Sequence, residues 1–259
     1  YNLGIIYNRI EEYNDAVSAF DYAIAINDKN TAAIFNKGNT LANWSKYEMA
    51  VDVYMDFLKF EPENIVALFY VGECYEKLDK FDDALKFYKN VLALDPNFSD
   101  AWHGIGLVRF FQNKLTEAIG YIEKALEIDA DNAEYWFSLG NASKALKDND
   151  QKTLYCYKRA TELDPHDVEF WISYAGMQKK IENVGLATRT LEYASEFLEE
   201  DAELQFVLSA YYYLQGNRDK SLKLFSEARL IDIDFASSFF NNCELSSEDM
   251  TLYSKILTQ

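Results

Sequence analysis

Two histidines, three cysteines and a surplus of carboxylates are the residues of this 259-residue chain suited to chemistry. Asp100 stands three residues before His103, within reach of it on a helix, so an acid–base pair is conceivable there. No nucleophile or second polar centre accompanies that pair. His166 follows Pro165 in what reads as a surface turn. Cys74, Cys156 and Cys243 are odd in number, widely spaced and without a CxxC, which argues against a disulfide framework and for a thiol-tolerant, cytoplasmic setting. No metal-ligand spacing joins them to the histidines. The glycines are scattered singly and make no phosphate-cradling loop. The expectation is a chain with no catalytic residue, no metal and no cofactor.

Charge narrows the partners. Lys and Arg number 25 against 43 Asp and Glu, a formal net charge of −18 that is spread along the whole chain. Nucleic acid is disfavoured, because a phosphate backbone is held by clustered Lys and Arg. A protein or peptide partner of neutral, apolar or basic character fits better. No run of about 18 apolar residues is present, so no membrane span is expected. The opening Tyr1-Asn2-Leu3-Gly4 has neither a basic nor an apolar leader pattern.

The elements that must carry these residues follow from one interval. Gly4, Gly38, Gly72, Gly106 and Gly140 lie 34 residues apart, a period that marks stacked helical hairpins. With glycine at position 8, repeats open at Thr31, Ile65, Ser99, Ala133, Val168 and Ala202. The first, at residues 1–30, is partial, and the fifth has one extra residue near Lys147–Gln151. Position 8 continues as Ala175 and Ser209. Position 20 is Ala16, Ala50, Ala84, Ala118, Thr153, Ala187 and Ser221. Position 24 is Phe20, Tyr54, Tyr88, Ile122, Tyr157, Leu191 and Phe225. Pro62, Pro96 and Pro165 all fall at position 32. Small residues at 8 and 20 let two helices approach, and large ones at 4, 7, 11 and 24 fill the space around them. Asn30, Asn64, Asn132, Asp167 and Asp201 are placed to cap each following helix. The fold class is all-α, with helix A near positions 1–14 and helix B near 15–30.

Trp102-His-Gly-Ile105-Gly106, Trp136-Phe-Ser-Leu139-Gly140 and Trp171-Ile-Ser-Tyr174-Ala175 complete a pattern that strongly resembles the tetratricopeptide repeat family over residues 1–235. The resemblance implies a right-handed superhelical solenoid whose concave groove, lined by helix A, takes extended peptides. Residues 236–259 leave the pattern. Ala236–Cys243 reads as a further helix, and Ser246 caps a segment whose Met250, Tyr253 and Leu257 share one face, so a C-terminal cap is expected. Position 11 departs from the family at Arg109, Ser143 and Gln178, so the interfaces from Arg109 to Gln178 are expected to open first.

Positions 2, 5, 9, 12 and 13 of helix A point away from the core set of 4, 7, 8 and 11. Position 5 is an aromatic-rich column of Tyr1, Phe35, Phe69, His103, Phe137, Ile172 and Phe206, read as groove contacts, although packing on the neighbouring helix A would account for it as well. Asn39, Glu73, Asn141 and Phe110 join it from positions 9 and 12. Asp100, Glu134, Glu169 and Glu203 form an acidic row at position 2, suited to a basic ligand segment or simply to the dipole of each helix start. The Lys/Arg clamp of the chaperone-tail binders in the family is missing, since Ala32 and Val66 hold position 2. The asparagine column of the glycosyltransferase repeats is not present either. Two functions remain: a non-catalytic adaptor binding an extended peptide or partner protein, or the recognition array of a larger enzyme such as a glycosyltransferase, kinase or protease. The chain begins inside a helix and is read as a fragment, which leaves self-association through that open end as a third possibility.

Overall fold

A computed structural model describes residues 1–147, 149–181, 183–198 and 201–232. Among them are fourteen α-helices and no strand: α1 Asn2–Arg9, α2 Tyr13–Ile26, α3 Thr31–Asn43, α4 Tyr47–Leu58, α5 Ile65–Lys77, α6 Phe81–Leu94, α7 Ser99–Phe111, α8 Leu115–Ile128, α9 Ala133–Leu146, α10 Asp150–Leu163, α11 Val168–Ile181, α12 Val184–Ala194, α13 Ala202–Leu214 and α14 Arg218–Ile231. Odd-numbered helices are the A helices and even-numbered ones the B helices of successive hairpins. The hairpins form two compact bodies, Tyr1–Ala130 with α1–α8, and the chain from Asp131 onward with α9–α14. The expected C-terminal cap at 236–259 and Cys243 lie outside the described residues.

Many of the helices start where a side chain satisfies their free amides. The Asn30, Asn64, Asn132 and Asp201 carboxamide or carboxylate oxygens accept from the backbone N–H of Ala33, Ala67, Tyr135 and Leu204, and Asp167 accepts from Glu169 and Phe170. Each such cap contributes about 1 kcal/mol. The A helices end by another device. Glu11, Ser45, Asp79, Asn113 and Lys147 have φ of 55–62°, and Gly216 has φ 77°. All six stand at position 15. At Ser45 the paired bonds Ser45 N–H to Ala42 O and Lys46 N–H to Leu41 O close the helix, the left-handed stop that reverses the chain into helix B.

The glycine period has a steric cause. A Cβ at Gly4, Gly38, Gly72, Gly106 or Gly140 would come within 2.5–2.8 Å of Phe20, Tyr54, Tyr88, Ile122 or Tyr157 respectively. Position 8 is therefore the socket for the position 24 side chain of the same hairpin, and each buried ring stabilises its hairpin by roughly 2–3 kcal/mol. The tyrosine hydroxyls are paired rather than stranded: Tyr54 donates to Asn39 and Tyr157 to Asn141, both at 2.7 Å, and Tyr88 donates to Glu76 at 2.8 Å. The indole N–H groups of Trp102 and Trp171 donate to the carbonyls of Pro96 and Pro165. Those bonds tie the position 4 tryptophan to the proline turn that precedes it.

Candidate functional site

Much of the position 5 column packs against neighbouring helices, and its buried members are not groove contacts. Phe137 and Phe206 are buried, and His103 is only 9% exposed. The Phe137 ring centroid is 4.7 Å from Phe170 and that of Phe206 is 5.3 Å from Phe225. Phe35 packs among Tyr54, Phe57 and Tyr70, and Phe69 among Tyr70, Tyr88 and Phe98. Ile172 is half-buried. The reason is angular: at about 100° per residue, position 5 lies only some 60° from the buried position 8, whereas positions 2, 6, 9 and 13 stand opposite the core. The rings therefore turn toward the adjoining helices.

The other expected residues are dispersed. Asp100, Glu134, Glu169 and Glu203 are exposed in the first turns of α7, α9, α11 and α13. Burial, with repulsion from Asp201, Glu169 and Asp167, raises the Glu203 pKa. Phe110 is half-buried against Phe111, with ring centroids 5.8 Å apart. Asn141 is committed to the Tyr157 hydroxyl.

Asn39 and Glu73, by contrast, come together. They line a cavity of about 450 Å³ in the first body, walled by α1, α3, α4 and α5. Asn8, Asn36 and Asn43 join them, with Tyr54 and Tyr70 as aromatic walls and Lys77 at the edge. These are largely positions 6, 9 and 13 of the A helices. Sequence reasoning leaves Asn8, Asn36, Asn43, Tyr70 and Lys77 out of the site; the 6–9–13 stripe of the second and third repeats finds all of them but Asn8, which stands at position 12.

Asn36 donates to the Ala32 carbonyl at 2.8 Å and to the Tyr1 hydroxyl at 3.1 Å. Asn39 Oδ1 is held by the Tyr54 hydroxyl, and among the described residues its amide N–H groups have no partner. Asn8 Oδ1 is buried with no hydrogen-bond partner. Glu73 forms no hydrogen bond or ion pair among the described residues, and burial, then the neighbouring Glu76 and Asp100, push its pKa up to about 7 against the opposing pull of Lys77. Glu76, buried beneath, is also raised, chiefly by burial, while its bond from Tyr88 works the other way. The site thus offers acceptors and one titratable carboxyl to a ligand.

The remaining chemistry-bearing residues lead elsewhere. Burial drives the His103 pKa down to about 4, and Asp100 is exposed while the imidazole is not. Cys74 and Cys156 are buried thiols outside any disulfide, and burial pushes Cys74 up to about 12. No group of three or more His, Cys, Asp or Glu among the described residues could hold a metal ion. No helix among them is long and apolar enough to cross a membrane.

Socket, caps and left-handed reversals recurring hairpin after hairpin describe a stack of the tetratricopeptide kind. Three consecutive repeats match tetratricopeptide repeat family models, residues 65–98 one model and residues 31–64 and 99–132 another, so residues 31–132 are tetratricopeptide repeats. No curated protein matches it. Among solved structures, a tetratricopeptide repeat protein from Parabacteroides merdae ATCC 43184 has a TM-score of 0.63 at 16% identity, covering 99% of this chain and 96% of that one. YrrB, described as "a TPR protein with an unusual peptide-binding site", has a TM-score of 0.53 at 22% identity, covering 70% of this chain and 93% of that one. TTC0263, a thermophilic TPR protein from Thermus thermophilus, has a TM-score of 0.57 at 19% identity, covering 68% of this chain and 95% of that one. These likenesses concern the fold. The repeats make the chain a protein-interaction scaffold in the general sense.

Proposed function

We propose that the chain is a non-catalytic adaptor that holds an extended peptide, or an extended segment of a partner protein, across the A helices of its first three repeats. The observation that carries this is the Asn8–Asn39–Glu73 cavity, where unpaired acceptors and amide donors converge on a volume of about 450 Å³. That volume is in the range of natural ligand sites. Carboxamides suit a peptide backbone, because each presents a donor and an acceptor in one plane. Polar side chains line the cavity from three successive A helices, Asn8 from α1, Asn36, Asn39 and Asn43 from α3 and Glu73 and Lys77 from α5, so an extended chain crossing them meets polar groups from each. The fold is shared with YrrB, whose description names a peptide-binding site; the reading here rests on this chain's own side chains.

Asn43 is exposed and lines the cavity, so Asn43→Trp fills the site without touching the core. Peptides selected from a random heptapeptide display library on the intact chain should lose at least about tenfold in affinity with Asn43→Trp, a cost typical of a central contact. Selected peptides that bind the variant as tightly as the parent would place the binding surface elsewhere.

A further inference from the structure

We infer that the group seated in this cavity is a cation: the pocket bounded by Asn8, Asn39 and Glu73 receives a lysine or arginine side chain of the bound peptide. The inference rests on the peptide-binding reading above and specifies its ligand.

Three observations select a cation over an anion or an apolar group. First, the cavity lining includes a carboxyl group without a partner. Glu73 has no hydrogen bond or ion pair among the described residues, and Asn8 Oδ1 is buried and unpartnered. An apolar occupant would leave the Glu73 carboxyl desolvated, whereas ammonium or guanidinium brings three to five donors. Second, the local charge is negative. Glu76 and Asp100 both act on Glu73, and Lys77 is the cation that opposes them. An anion would meet three carboxyl groups across one lysine, on a chain carrying −18. Third, Tyr54 and Tyr70 stand as neighbouring rings, centroids 5.8 Å apart. Tyr54 is buried and backs the half-buried Tyr70, whose ring gives an apolar wall to an alkyl stem.

The same groups make binding depend on pH. The charged or titratable groups facing Glu73 are Tyr70, Cys74, Glu76 and Lys77 from α5, Tyr54 from α4, Tyr88 from α6 and Asp100 from α7. The cavity residues of α1 and α3, Asn8, Asn36, Asn39 and Asn43, are uncharged. With its pKa up to about 7, Glu73 is largely protonated in the free protein at pH 6. A cation beside it favours the carboxylate, so the proton is released on binding. Affinity therefore rises between pH 6 and pH 8, by about tenfold if the bound carboxyl titrates well below 6.

The test uses a heptapeptide display library selected on the intact chain and counter-selected against Asn43→Trp, which has the same net charge and so removes binders drawn only by the acidic surface. The best peptide is then synthesised with its basic residue or with norleucine in that place. The expected results are Lys or Arg at one register in the binders and a loss of at least tenfold with norleucine. That loss should shrink to twofold or less in Glu73→Gln, whose near-isosteric side chain keeps the fold as judged by its melt. Affinity for the basic peptide should rise about tenfold from pH 6 to pH 8 in the parent and stay flat in Glu73→Gln. Binders that respond to Asn43→Trp but carry no basic residue, or that bind Glu73→Gln equally well, overturn the cation and leave the peptide site standing. A selection yielding no binder sensitive to Asn43→Trp overturns both.

Discussion

At the residue scale, His103 shows how burial can turn a chemically suggestive side chain into a structural one. It holds the position where other repeats carry Tyr, Phe or Ile, and burial lowers its pKa to about 4 from an ordinary 6.5. The folded protein thus keeps the imidazole neutral over a range in which the unfolded chain would protonate it. Between about pH 4 and 6.5 the unfolded state binds more protons, so stability is fully present above pH 6.5 and is lost as pH falls toward 4. The loss is as much as about 3 kcal/mol. His103→Phe should flatten that slope, which urea denaturation at pH 5 and pH 7 would reveal. An unchanged pH difference in the variant would show that His103 does not govern acid sensitivity.

At the scale of the hairpin, two positions decide the geometry: the socket at 8 and the reversal at 15. A Cβ at Gly140 would lie 2.6 Å from Tyr157 Cε1, while the next repeat joins Ala175 to Leu191 at the equivalent positions. Gly140→Ala alone should cost about 1–3 kcal/mol through overpacking. Combined with Tyr157→Leu it should cost less than the two single changes added together, with a coupling of about 1 kcal/mol or more. Strict additivity in a thermal-melt cycle would refute the socket. Gly216 is the one glycine at position 15, with φ 77° and open space around its Cα. Gly216→Ala introduces no clash but forces a side chain into the left-handed region, at a cost of about 1 kcal/mol. A neutral substitution would mean that the turn relaxes.

Across the whole molecule, stability in a repeat array is a sum over repeats and their neighbours. The weak terms are visible as buried polar atoms. Ser143 Oγ and Gln178 Oε1 are buried without hydrogen-bond partners, both at the position 11 where Leu41, Tyr75 and Tyr212 stand in other repeats. Each unmade bond costs about 1–3 kcal/mol. Within the second body, α9–α11 should accordingly exchange amide hydrogens faster than α13. Ser143→Ala and Gln178→Leu should each slow that exchange and raise stability by about 1 kcal/mol. Slowest exchange in α9–α11 of the parent chain would contradict this. Arg109, the third departure at position 11, lies half-buried with Nε 3.1 Å from Glu117. It belongs to the other body.

Most of the fold was written in local terms. The glycine interval, the Asn and Asp caps and the position 24 rings each act within one hairpin, so a reading with a 34-residue ruler recovers the helix starts at Thr31, Ile65, Ser99, Ala133, Val168 and Ala202. The left-handed residue at 15 escaped notice because Glu11, Ser45, Asp79, Asn113 and Lys147 share no side-chain type. The paired backbone bonds that close each helix hold them at positive φ whatever the side chain. The site was legible only in part. A helical wheel gives directions from one axis, but whether Phe137 faces solvent or the next helix depends on where Phe170 lies, and that is a property of the stack. The hairpins and their period could be read from the residues alone, because they follow from contacts within about one repeat. Stacking was needed to bury Phe137 and Phe206 of the aromatic column, and to bring Asn8, Asn39 and Glu73, drawn from three repeats, around one cavity.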